Sequence, residues 1–136
     1  MKKLAGFACI AGLVAIGCKP PTPDEQLDNA RSWLATADMA AQAWLNRTTP
    51  DRYTRQTLQL SRENVRQMAD GLRKSPAPGA DTHSIDSLLT RSGSRVDRIA
   101  ALVTSRNAPE LRIQLDSLRV EERSVHEIAE RLKSRQ

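Results

Sequence analysis

Residues 24–51, DEQLDNARSWLATADMAAQAWLNRTTPD, decide how this chain folds. Leu27, Ala30, Leu34, Ala37, Ala41 and Trp44 recur at alternating steps of three and four, which puts one apolar stripe along a helix. Trp33, Ala40 and Leu45 widen the stripe, while Asp28, Arg31, Asp38 and Gln42 fall away from it. The spacing predicts a helix over 24–47, with Thr22 or Asp24 as its cap and Asp24 and Glu25 at the positive end of the helix dipole. Thr49-Pro50-Asp51 then starts a second helix. Thr49 is expected as the N-cap and Pro50 as the first helical residue, where the missing N–H costs nothing.

The same reading extends outward. A helix over 50–74 carries Leu58, Val65, Met68, Ala69 and Leu72 on its seam, with polar Thr54 and Ser61 filling two steps. Ser75-Pro76-Ala77-Pro78-Gly79 ends it and forms the longest internal loop. A third helix over 84–105 turns Ile85, Leu88, Leu89, Val96, Ile99 and Val103 inward. Ser92-Gly93-Ser94 marks either a break in it or a close approach by a tryptophan of the first helix. Asn107-Ala108-Pro109-Glu110 opens a fourth over 109–134, with Leu111, Leu115, Leu118, Val125, Ile128, Ala129 and Leu132 inward and Glu122 interrupting the stripe.

No segment alternates with the period of a strand. Four helices of similar length joined by short polar breaks predict an all-α fold, a small antiparallel four-helix bundle (up-down-up-down) about 35 Å long. The alternative is two long hairpins that close only on oligomerisation. A shift of 59 residues sets Ala37 on Val96, Asp38 on Asp97, Arg47 on Arg106 and Pro50 on Pro109. A shift of 60 sets Val65 on Val125, Met68 on Ile128, Ala69 on Ala129 and Leu72 on Leu132. A duplicated hairpin explains this register, but chance alignment of amphipathic helices is the expected reading.

The N-terminus points elsewhere. Lys2 and Lys3 precede an apolar run, Leu4 to Ile16, too short to span a bilayer comfortably. It ends in Ala15-Ile16-Gly17-Cys18, which resembles the lipobox of bacterial lipoproteins. The resemblance covers residues 1–18, and Ala15 stands where that family most often has Leu. It implies a cleaved signal peptide over 1–17, cut between Gly17 and Cys18, with diacylglycerol on the Cys18 sulfur and an acyl chain, palmitate in kind, on its amino group. Two or three acyl chains together hold a protein stably. Lys19 after the cysteine, instead of Asp, implies the outer membrane rather than the inner, with the protein on the periplasmic face. An ordinary secretory signal or a membrane helix are the competing readings. Residues 18–23, with prolines at 20, 21 and 23, form a stiff tether reaching about 15 Å. The folded unit is then 24–136.

Composition narrows the function classes. The formal charge of +5 drops to +3 once Lys2 and Lys3 are removed, too small an excess to indicate nucleic acid. Aromatics are 3% of the chain, so the core is expected to be aliphatic and thin, which makes a protein partner or self-association plausible. Cys9 lies in the signal, so no disulfide framework is expected. No nucleophile elbow, phosphate loop or paired carboxylates appear, and no enzyme activity is expected. His83 and His126 are isolated and read as surface residues, so no metal and no cofactor beyond the lipid on Cys18 are expected. Trp33 and Trp44, eleven residues apart, are expected to share a core-facing side.

The arginines form the remaining pattern. Arg52, Arg55, Arg62, Arg66 and Arg73 fall in one arc of the second helix, and Arg91, Arg95, Arg98 and Arg106 in one arc of the third. Such stripes either meet an anionic surface (a headgroup, a wall carboxylate, an acidic partner) or are solvated faces paired to Glu63, Asp70 and Asp97. The sequence thus predicts a membrane-anchored, non-enzymatic interaction or scaffold module of the bacterial envelope. The alternative is a binder of a cell-wall or anionic lipid ligand through these arginine-rich faces.

Overall fold

The computed structural model describes residues 19–136; the signal peptide, with Gly17 and Cys18, lies outside the described residues. Four helices follow one another: α1 (Pro23–Leu45), α2 (Asp51–Lys74), α3 (Thr82–Ser105) and α4 (Ala108–Lys133). Among the described residues there is no strand, and no helix is long and apolar enough to cross a membrane.

The caps follow from short polar side chains. The Thr22 N–H donates to Glu25 Oε2 at 2.9 Å, and Asn107 Oδ1 accepts from the Glu110 N–H at 3.2 Å. Two starts differ from expectation. Asp81 Oδ1 accepts from the Ser84 N–H at 3.1 Å, so α3 begins at Thr82, within what the sequence assigned to the loop. At α2 the N-cap is Pro50, not Thr49, and the Thr49 and Thr54 hydroxyls pair at 3.1 Å instead.

The four helices close into one bundle within a single chain. Cross-helix contacts run in opposite order along each neighbouring pair: Asp28 with Lys133 and Asp38 with Arg119, Arg62 with Asp97 and Arg73 with Asp86, Arg98 with Glu110 and Arg91 with Glu121. Successive helices are therefore antiparallel. α1 touches α2, α4 and, across the middle, α3, whereas α2 and α4 do not meet. Ala30, Ala37 and Ala41, all fully buried, let α1 come this close to its neighbours. The remaining core is Leu, Val and Ile with Ala69 and Ala129, aliphatic as the composition predicts. Trp33 and Trp44 pack against it half-buried rather than inside it.

Three polar residues in the core are satisfied within their own helices. The Thr54, Ser61 and Ser92 hydroxyls donate to the carbonyls of Pro50, Thr57 and Leu88 at 3.2, 2.9 and 2.9 Å. Gly93 therefore breaks nothing, and no side chain lies against it. The close approach falls at Gly71, whose missing Cβ leaves room for the buried Gln26 amide of α1. The charged residue on the inward face of α4 is Glu121, 5% exposed, not Glu122, which lies half-buried beside Arg31.

The shared register of the two hairpins is structural. Arg47 and Arg106 both take left-handed backbone, at φ 58° and 56°. Thr48 N–H donates to Ala43 O, and Asn107 N–H to Leu102 O, the same Schellman bond 59 residues apart. Exposed Tyr53 and Leu60 on α2 are matched 60 residues later by exposed Ile113 and Val120 on α4. The two turns thus share one capping geometry and one register.

Candidate functional site: an arginine-lined cleft at the tether-distal end

Of the nine predicted arginines, six hold carboxylates along two seams, and Arg106 meets Asp51 at the end of the bundle. Between α2 and α3, Arg62 meets Asp97 at 2.7 Å, and Arg73 meets Asp86 at 2.6 Å and Asp70 at 2.7 Å, while Arg66 pairs with Glu63 at 2.9 Å. Between α3 and α4, Arg91 and Arg95 converge on Glu121 Oε1 at 3.1 and 2.9 Å, and Arg98 reaches Glu110 at 3.3 Å. The stripes therefore do not make one continuous basic face. Glu63 and Asp70 interleave with the arginines at helical spacing, and Asp86, Asp97, Glu110 and Glu121 face them across the seams. Exposed pairs of this kind contribute only about 0.2–1 kcal/mol each, so they fix helix register more than stability. Arg52 and Arg55 are exposed, and neither has a carboxylate within ion-pair distance among the described residues.

A different set of arginines comes together where the α1–α2 and α3–α4 turns meet. Trp44, Leu45, Arg47, Thr49, Asp51, Arg106, Ala108 and Arg112 line an open cleft of about 470 Å³. Its floor is set by one hydrogen bond: Trp44 Nε1 donates to Asp51 Oδ1 at 2.8 Å. Arg106 Nη2 lies 3.4 Å from Asp51 Oδ2. The Trp44 N–H, then the nearby Arg106 and Arg55 charges, hold the Asp51 carboxyl below its ordinary range. Asp51 thus stays ionised and fixed, but it is one carboxylate against three guanidinium groups. Arg47 and Arg112 have no carboxylate within ion-pair distance among the described residues. The first turn of α4 opens into the same cleft and adds its positive dipole end.

Two of the three cleft arginines occupy backbone that costs a non-glycine residue roughly 1–2 kcal/mol. Strain of this kind concentrates at functional positions, where it is offset by the surrounding fold. The cleft is also the positive pole of the molecule. Residues 40–58 and 98–115, at this end, carry six arginines against Asp51 and Glu110. Residues 19–30, 70–88 and 126–136, at the tether end, carry eight carboxylates against six basic side chains. A guanidinium cluster over an apolar floor suits a planar carboxylate or phosphate on a partly apolar ligand.

Sequence reasoning placed Arg106 on the third-helix stripe but missed its grouping with Arg47 and Arg112. The signal was present in the 59-residue shift, which places Arg47 on Arg106. Cys18 and Gly17 lie outside the described residues. His83 is exposed, as expected, while His126 is half-buried.

In comparisons with known proteins, no family model, no curated protein and no solved structure matches this chain.

Proposed function

We propose that the chain is a lipoprotein of the bacterial outer membrane, held on the periplasmic face by acyl chains on Cys18. Its bundle acts as a non-enzymatic interaction module that offers the tether-distal cleft to an acidic partner in the envelope. The anchor rests on the lipobox-like Ala15-Ile16-Gly17-Cys18. The role rests on one observation: Arg47, Arg106 and Arg112 surround a cleft at the end of the bundle opposite the tether, with one carboxylate among them. A tether of about 15 Å and helices of about 35 Å carry that cleft roughly 50 Å from the membrane surface. The acidic pole then faces the bilayer, which argues against anionic lipid as the ligand of the arginine stripes.

Cell-wall carboxylates are the second reading, favoured by the openness of the cleft to planar anions and by its distance from the bilayer. Mass spectrometry of the mature N-terminus is expected to find acyl chains on Cys18, and a purified product without acyl mass there overturns the anchor. A photocrosslinker at position 112 in cells is expected to give one protein adduct of defined mass, abolished by Arg47→Ala with Arg106→Ala. A crosslink to peptidoglycan fragments instead supports the wall reading. No adduct at 112, or one indifferent to the double change, overturns the role of the cleft.

A further inference from the structure

At the opposite end, the α1–α4 seam holds a group of side chains that the interaction role does not use. Asp28 of α1 faces His126 and Glu130 of α4. His126 and Glu130 are four residues apart, so they project from one side of α4. One ring nitrogen of His126 and one carboxylate oxygen from each acid lie within 4.8 Å of one another. Lys133 Nζ lies 2.6 Å from Asp28 Oδ2 and 2.9 Å from Glu130 Oε1. Its ammonium joins the two carboxylates and leaves the imidazole out. His126 Nδ1 is buried and has no hydrogen-bond partner. The salt bridge accounts for Lys133 and both carboxylates, and the imidazole takes no part in it.

We propose that Asp28, His126 and Glu130 form a divalent transition-metal site, with zinc as its ion, and that the Lys133 ammonium stands in for the metal. The donor set, one imidazole and two carboxylates, matches zinc in kind and leaves a fourth position to water. Calcium and magnesium take oxygen ligands and leave the imidazole unused. Zinc bonds of about 2.0–2.2 Å put neighbouring ligand atoms about 3.4 Å apart, so the group contracts by roughly 1.4 Å at its widest. The Asp28 and Glu130 side chains are 36% and 52% exposed, which leaves them free to make that movement. On binding, Lys133 swings into solvent and the zinc ion takes both of its carboxylates together with the imidazole. The ion then joins the start of α1 to the end of α4, where Gln136 Nε2 already donates to Asp24 Oδ1 at 2.9 Å. The site is at the other end of the bundle from the arginine cleft, so it stands or falls independently of the role assigned to that cleft.

The test uses the full chain in detergent micelles, with Cys9 and Cys18 both replaced by Ser so that no thiol competes. Zinc ion alone is titrated at neutral pH by calorimetry, and each variant is first checked for its helical circular dichroism. The expected result is one zinc ion per chain. Lys133→Gln is expected to tighten binding at least about tenfold by removing the resident cation, and His126→Ala or Asp28→Asn to weaken it at least about tenfold. The Lys133 variant guards against misfolding, since a damaged site does not gain affinity. Unchanged affinity in Lys133→Gln, or equal affinity in the folded His126 and Asp28 variants, overturns the proposal and assigns any uptake to adventitious surface carboxylates.

Discussion

The two hairpins share a turn and a register but solve the middle of the bundle differently. In the first, α2 places Ser61 on the core-facing side, and its hydroxyl returns to the Thr57 carbonyl. In the second, the position 60 residues later is Glu121, and its carboxylate is clasped by Arg91 and Arg95 of α3. The first hairpin is tightened by a missing side chain, Gly71 against Gln26; its counterpart is Arg131, exposed on α4. Two hairpins of one register thus keep a common shape with a small neutral interior in one and an ionic clasp on buried Glu121 in the other. The lesson is that backbone register survives a change of interior chemistry even where pairing is incomplete: Gln26 Oε1, Arg95 Nε and Glu121 Oε2 are buried without a hydrogen-bond partner.

The largest expected effect breaks the clasp. Glu121→Ala leaves Arg95, whose side chain is 21% exposed, without its counter-ion and should cost about 2–3 kcal/mol, lowering the thermal midpoint by roughly 10 °C. Calorimetry that finds less than about 1 kcal/mol removes the clasp from the account. Next come the caps. Arg47→Gly and Arg106→Gly relieve left-handed backbone and should each stabilise the fold by about 1 kcal/mol. If the hairpins are equivalent, urea midpoints shift alike in both variants; a gain in one and a loss in the other argues against equivalence. Ser61→Ala should stay within about 0.5 kcal/mol of the parent, because its hydroxyl bonds only its own helix. A large loss there shows that the hydroxyl serves the neighbouring helices.

Acid acts on both hairpins, most visibly at the cleft. The Asp51, Asp24 and Asp81 carboxyls are held below their ordinary value of 3.8, chiefly by hydrogen bonds from Trp44, Thr22 and Ser84 respectively. A depressed carboxyl contributes stability above its unfolded value and loses it as pH falls toward its folded one. Stability should therefore be flat from pH 7 to about 5 and decline below about pH 4. Trp44 fluorescence should change in the same range as Asp51 takes up a proton. A midpoint of acid unfolding above pH 5 contradicts these assignments.

Much of the fold was legible because each device is local. The three-and-four spacing in α1 gave its buried face, and Asn107 before Pro109 gave the start of α4. What escaped reading depends on a rotation or an approach that no local pattern encodes. Glu121 and Glu122 differ by about 100° around α4, and only packing against α3 decides which turns inward. Of Gly71 and Gly93, sequence flagged the one between serines, but the one opposite Gln26 is where helices close. Arg47 and Arg106 sit where Gly or Asn normally signals a left-handed cap, so neither turn announced its geometry. His126 lies at the edge of the apolar stripe, and only the folded bundle brings Asp28 of α1 beside its ring.

The hydrogen bond between Gln136 and Asp24 joins residues 112 positions apart, and α1 is enclosed by α2 on one side and α4 on the other. Of the four helices, α4 is therefore the one that closes the wall around α1 on the side away from α2. Without it, the other three helices would leave α1 and α3 uncovered along one side. The bundle is thus sealed by contacts between elements far apart in the sequence, so its two hairpins hold each other in place rather than standing alone.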